Sequence, residues 1–209
     1  MSTIQNVILQ IPDRSLTNND IAGNANIEPS KLGQKVLAEY VVPIEAFKTW
    51  DAVASNLPAS AASDDLGLVT GTWLTNPVRI TAGECKNLGA TTRRAYFSIP
   101  IPPNYDDGET IQVRIRAAME TTLASTSCTI DLEAVVGSSG TPTADLVTTS
   151  AQSMNSLTAA NFDFTINAAS VDPGQLLECR LSISCNDTAT ATSVTPAVYK
   201  VSLLADTRG

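Results

Sequence analysis

The sequence predicts an all-β protein: an antiparallel β-sandwich, jelly-roll-like, preceded by an extended N-terminal arm with one short helix. Three observations support this fold class. Apolar and polar residues alternate in most segments after residue 67, as in antiparallel strands with one face in a core. Pro, Gly, Asn and Asp separate these segments at turns. Alanine, threonine and serine number 26, 25 and 19 of 209 residues, and such small side chains suit close-packed strands.

Residues 1–66 form the predicted arm, because sustained alternation is missing there. An apolar run at residues 7–11 opens it, and Lys35 to Pro43 is compatible with a short extended segment. After Pro43, apolar residues recur at helical spacing, which predicts a helix of about three turns near residues 44–55. Residues 59–63 then form a linker. The arm either packs on its own sandwich or reaches a neighbouring subunit, and we expect its apolar side chains to anchor it: Val7, Ile8, Leu9, Ile11, Phe47 and Trp50.

Residues 67–209 form the predicted sandwich domain, with six or seven strands. Alternation is strongest in segments 95–101, 111–119, 128–136, 177–185 and 197–205. Two turns are marked by their chemistry, at residues 102–108 and 172–174. No segment between these strands has a convincing helical pattern, so we expect sheets packed on sheets.

Charge and residue content exclude several function classes. The net charge of −8 argues against a nucleic-acid binder, which needs a basic surface. No apolar run approaches the roughly 18–20 residues of a membrane span, and residues 1–11 lack the basic start of a secretory signal. The chain contains no histidine, which removes histidine-dependent triads, general bases and zinc sites. We therefore expect no enzyme activity, no cofactor and no metal.

Charged clusters offer weak candidate sites. Residues 106–109 gather three carboxylates, as a cation site requires, but their spacing lacks the full calcium-loop pattern and we expect a solvated hairpin turn. Asp131 and Glu133 share a strand face about 7 Å apart, but the aromatic content is too low for a glycosidase cleft. Four arginines form a small basic docking patch if their strands pair; the alternative is ion pairing with those two carboxylates. These arginines are Arg93, Arg94, Arg114 and Arg116.

The four cysteines fit a core better than a metal site. They lack CxxC spacing, and we expect buried, reduced thiols. The alternative is one disulfide between neighbouring strands. Cys179 and Cys185 share a predicted strand face but lie about 20 Å apart, so they cannot bond each other. The remaining two are Cys85 and Cys128.

Several segments resemble proteins encoded in the structural gene clusters of tailed bacteriophages. They span the arm and most of the sandwich, at residues 47–58, 64–71, 90–105, 152–158 and 186–192, and include Phe47-Lys48-Thr49-Trp50-Asp51 and Ile99-Pro100-Ile101-Pro102-Pro103. Such proteins resemble capsid cement (decoration) proteins or head fibres. The resemblance implies a β-rich homotrimer on the capsid exterior, assembled in the bacterial host cytoplasm, with arms bridging neighbours and the major capsid protein as partner.

The leading functional prediction is thus a non-enzymatic capsid cement protein. The main alternative is a head-fibre, receptor-binding or carbohydrate-binding module, whose sugar platform would need exposed aromatic rings. The candidates for that platform are Trp73, Tyr96, Tyr105 and Tyr199. A third hypothesis is a jelly-roll protein that builds a shell itself.

Overall fold

The computed structural model describes residues 35–72, 74–75, 77–85, 88–121, 127–137, 144–187 and 194–208. These residues contain ten strands and two three-residue 3₁₀ helices, Ile44–Ala46 and Ala168–Ser170. No helix in this part of the chain has the length and apolarity needed to cross a membrane. The strands are β1 (Lys35–Val42), β2 (Gly67–Val69), β3 (Arg79–Thr81), β4 (Leu88–Pro100), β5 (Ile111–Thr121), β6 (Ser127–Val136), β7 (Gln152–Ser153), β8 (Ala160–Thr165), β9 (Leu176–Asp187) and β10 (Thr195–Arg208).

The strands form two antiparallel sheets that pack as a sandwich. Sheet A has the order β2-β3-β10-β5-β8, and β1 also pairs with β10. Sheet B has the order β4-β9-β6-β7. The predicted all-β antiparallel sandwich is confirmed.

The core lies between the sheets and follows the alternation in the sequence. Every second residue of β5, β6 and β9 is buried along most of each strand. Burial of these branched and aromatic side chains stabilises the sandwich, since each contributes about 1.5–3 kcal/mol of transfer free energy. Fully buried members include Phe97, Ile115, Leu132, Phe164 and Leu181.

The predicted helix near residues 44–55 is wrong. Helical turns are confined to Ile44–Ala46, and Phe47 already has extended backbone angles, φ −70° and ψ 143°. This conformation lets the Phe47 ring pack against Phe97, with ring centroids 4.6 Å apart. The next residue, Lys48, forms backbone hydrogen bonds with Tyr96 of β4. Tertiary burial and sheet pairing thus override a modest helical pattern.

The boundary between arm and sandwich, predicted at residue 66, lies instead at residue 35. The compact unit begins at Lys35, because β1 pairs with β10 over all eight of its residues. Leu66 is fully buried in the core. Residues 35–66 therefore pack on their own sandwich, whereas Val7, Ile8, Leu9 and Ile11 lie outside the described residues.

Candidate interaction surfaces

The edge of sheet B formed by β4 is covered by the segment 47–66. The Lys48 N–H donates to the Tyr96 carbonyl at 2.8 Å, and the Tyr96 N–H donates back at 2.9 Å. Farther along, the Leu66 N–H donates to the Arg94 carbonyl at 2.8 Å, and the Arg94 backbone N–H donates to the Asp64 backbone carbonyl at 2.7 Å. These bonds satisfy backbone groups that an edge strand otherwise leaves open.

The edge of sheet A formed by β1 has no such cover among the residues that the structure describes. β1 pairs with β10 on one side, and no other strand of the described chain pairs with it. Its apolar side chains are correspondingly accessible: Val36, Leu37 and Val41 are 52%, 55% and 57% exposed. An exposed apolar edge strand is a ready template for pairing with another chain.

The charged residues of β1 are engaged within the protein. Lys35 forms ion pairs with Glu109 and, at 3.5 Å, with Asp106. Glu39 accepts hydrogen bonds from Lys200 at 2.6 Å and Ser202 at 2.8 Å. These two donors hold the pKa of the Glu39 carboxyl below its usual value. Lysines on edge strands often prevent pairing with another chain. Here the charges of Lys35 and Glu39 are engaged in contacts within the protein and do not serve that purpose.

The acidic turn at residues 106–109 holds the ends of β1 and β10 together. Asp106 is 3% exposed and accepts a hydrogen bond from Arg208 at 2.7 Å. The bond from Arg208, with the nearby charge of Lys35, lowers the pKa of Asp106. The turn is thus an ion-paired clasp, which corrects the expectation of a merely solvated turn. Since Lys35 and Arg208 neutralise these carboxylates, the turn does not resemble a cation site.

The four predicted docking arginines do not form one patch, because β4 and β5 belong to different sheets. Arg93 donates to the carbonyls of Ser63 and Ala82. Arg114 makes two hydrogen bonds of 2.7 Å to Asp163, which raise the pKa of its guanidinium. Arg116 is exposed. The predicted ion pairing of Arg114 with Asp131 or Glu133 is wrong, because its strand β5 pairs with β8 rather than with β6.

Phe47 and Trp50, both predicted to anchor the arm, lie on opposite sides of sheet B. Phe47 is buried in the protein's own core and anchors residues 43–66 there. Trp50 is half-buried and extends over the outer face, where its ring centroid lies 5.1 Å from the Arg94 guanidinium and 5.6 Å from that of Arg180. Its indole N–H donates to Asp64 at 3.0 Å.

The outer face of sheet B carries two adjoining depressions, which we call the sheet-B groove. The larger, about 440 Å³, includes Trp50, Tyr96 and Glu178. The smaller, about 320 Å³, includes Asp131, Ser182 and Ser184. Glu133 and Arg180 line both. Periodicity did not reveal this groove, because it requires the pairing of three strands and the path of residues 47–66.

The other predicted platform residues do not join the groove. Tyr105 is 3% exposed, and its hydroxyl donates to the Glu109 carbonyl at 2.6 Å. The prediction that its ring belongs to an exposed sugar platform is therefore wrong. Tyr199 is half-buried on β10 in the other sheet. Trp73 lies outside the described residues. Of the four candidates, only Tyr96 lines the groove among the residues that the structure describes.

All four cysteines are buried, as predicted. Cys128 and Cys185 occupy directly paired positions of β6 and β9, and their sulfur atoms are 2.8 Å apart. The contact with Cys128 and the burial of the thiol raise the pKa of Cys185 to about 12. Such a thiol carries little thiolate at neutral pH and is a poor nucleophile.

Comparisons with known proteins give weak likenesses. No family model matches the chain, and no curated protein matches it. One similar solved structure is described as "CBM4 structure and function"; it is 14% identical with a TM-score of 0.31, and the match covers 63% of this chain and 85% of that one. Another is the structure of infectious bursal disease virus Gx strain, 13% identical with a TM-score of 0.25, covering 68% of this chain and 41% of that one.

Proposed function

We propose that the chain is a non-enzymatic structural protein of a phage virion: a cement, or decoration, protein that binds the outside of the head as a homotrimer. Its partners are further copies of itself and the major capsid protein. The observation that carries the proposal is the open edge of β1, with its exposed Val36, Leu37 and Val41. The resemblance of residues 47–58 and 90–105 to phage structural proteins supplies the biological setting.

An open strand edge suits assembly because it offers two kinds of contact at once. A partner strand gains main-chain hydrogen bonds along the edge, and apolar side chains on both faces of β1 become buried. The eight residues of β1 offer a partner strand several main-chain hydrogen bonds. We assign Val7, Ile8, Leu9 and Ile11, in the residues that precede β1, to contacts with a neighbouring subunit.

Cementing a shell requires no chemistry. A protein that binds the closed shell and not its opened form stabilises the shell by mass action. Three linked copies increase the effective concentration of each contact, so individually weak contacts suffice. A β-sandwich that exposes apolar side chains on an edge strand meets both requirements.

The first test is the mass in solution, by light scattering on a sizing column. We expect the full chain to form a trimer and a Leu37→Lys/Val41→Lys double variant to be a monomer. Leu157→Lys is the matched control, because Leu157 is 58% exposed outside β1; this variant should remain a trimer. A double variant that keeps the trimer would overturn the assignment of β1.

The second test is binding to phage heads that lack the protein, measured by co-sedimentation. The full chain should sediment with the heads and raise the temperature at which they open. A trimer that binds no head would leave the self-association intact and refute the cement function.

A further inference from the structure

The sheet-B groove has features of a ligand site that the cement function does not use. Its two depressions adjoin, since Glu133 and Arg180 line both. The larger volume, about 440 Å³, lies in the range of small-ligand pockets, about 300–1,000 Å³. Two adjoining depressions on one open sheet face suit a ligand of several linked units better than a compact one.

One wall of the groove is aromatic and held in place. Trp50 is fixed by its hydrogen bond to Asp64 and by contact with the guanidinium groups of Arg94 and Arg180. Tyr96 lies on β4 and is half-buried. A fixed aromatic side chain presents an apolar surface with a polar edge at little entropic cost.

The groove also presents paired hydrogen-bonding groups. The Arg180 guanidinium donates to Glu133, and their side chains are still 39% and 40% exposed. Each retains atoms that a ligand can reach: a donor and an acceptor side by side. In the smaller depression, the Thr92 hydroxyl donates to Ser184 at 3.0 Å, which adds neutral hydroxyl groups to the same face.

The charge of the lining selects against anions. Four carboxylates, of Asp131, Glu133, Asp145 and Glu178, face two guanidinium groups, of Arg94 and Arg180. The excess of negative charge repels nucleic acid and acidic polysaccharides. Three of the carboxylates are already engaged: Glu133 pairs with Arg180, and Asp131 and Asp145 accept backbone hydrogen bonds. An uncharged polar ligand therefore fits this lining best.

We propose that the sheet-B groove binds a neutral oligosaccharide. Sugar rings have apolar C–H faces, which match Trp50 and Tyr96, and neighbouring hydroxyls, which match the Glu133–Arg180 pair. The two adjoining depressions favour several sugar units over one. This inference goes beyond the cement function and does not depend on it, because the groove lies on sheet B and the open edge of β1 lies on sheet A.

The test is calorimetric titration of the full chain with a panel of neutral hexasaccharides: β-1,4-glucan, β-1,3-glucan, α-1,4-glucan, β-1,4-mannan and β-1,4-N-acetylglucosamine. We expect at least one to bind with a Kd of about 1 mM or tighter and to change the tryptophan fluorescence of the chain. Hexalysine and hexagalacturonate serve as charged probes. If no neutral sugar binds, or if hexalysine alone binds, the proposal is refuted.

Two variants locate the site, each with a matched control. Tyr96→Ala should weaken binding about tenfold, the effect of losing one aromatic contact; Tyr199→Ala, a half-buried tyrosine of sheet A, should not. Glu133→Gln preserves shape and should weaken binding without loss of the fold. Glu120→Gln, which breaks the comparable ion pair with Arg79, should leave binding unchanged. Full affinity in both groove variants would place the sugar elsewhere and overturn the assignment.

Discussion

The two sheets end differently at the strands β4 and β1. The edge of β4 is closed by residues 47–66, which bond to its backbone and bury Phe47, Leu57 and Leu66. The outer edge of β1 meets no strand among the described residues, and apolar side chains stand exposed on both of its faces. A closed edge adds to the stability of the monomer, whereas an open one is a liability unless a partner covers it. We therefore expect substitutions at the closed edge to change folding and those at the open edge to change association.

The largest expected effect is at the closed edge. Phe47→Ala removes a ring that is 1% exposed and leaves a cavity beside Phe97, so it should lower the free energy of unfolding by about 3–5 kcal/mol. Val41→Ala on β1, where the side chain is 57% exposed, should change it by no more than about 0.5 kcal/mol. Urea unfolding of both variants at a concentration where the chain is monomeric measures the difference. Similar losses would contradict the distinction between the two edges.

A smaller effect concerns the clasp that joins β1 to β10. The pKa of Asp106 is lowered in the folded state by its bond to Arg208 and by Lys35, relative to about 3.9 in an unfolded chain. The clasp therefore stabilises the fold above about pH 4, and this stabilisation is lost as the pH falls through the folded-state pKa. Hydrogen exchange should show the β1–β10 amides losing protection before the β4–β9 amides as the pH falls from about 5 to 3.

Asp106→Asn provides the control for the clasp. This variant should show reduced protection of β1 already at neutral pH, together with a weaker pH dependence of that protection. If the protection of all strands falls together in the unsubstituted protein, Asp106 does not control the pairing of β1.

The smallest expected effect is at Glu39. Its pair with Lys200 is solvent-exposed, since both side chains are 41% accessible, so Glu39→Gln should cost no more than about 0.5 kcal/mol. High salt should abolish even that difference, because the screening length falls to about 3 Å at 1 M. Urea unfolding at low and high salt checks both points. A cost above about 1 kcal/mol would show that β1 depends on this pair.

The sequence predicted the long central strands well and the edges poorly. Alternation at residues 177–185 and 111–119 identified buried faces directly, because one side of each strand packs in the core. β1 gave little signal, since both of its faces are exposed and no period-2 pattern results. Between residues 44 and 55, helical spacing was misleading: Phe47 turns into the core and Trp50 lies over the outer face.

The groove and the ion pairs could not be predicted from local patterns. Arg114 meets Asp163 across 49 residues, and Arg180 meets Glu133 across 47. Each pair requires the order of strands in a sheet, which periodicity does not contain. The burial of the cysteines, in contrast, followed from their place on alternating strands.

The position of β10 in sheet A also constrains synthesis. β10 pairs with β1, β3 and β5, yet the ribosome makes it after all of them. The bond between Thr207 and Val36 joins residues 171 positions apart, a delay of about 10–30 s at translation rates of roughly 5–20 residues per second. During that interval β1 lacks its partner strand β10, so the backbone groups that face β10 in the folded protein stay unpaired until translation reaches the last strand.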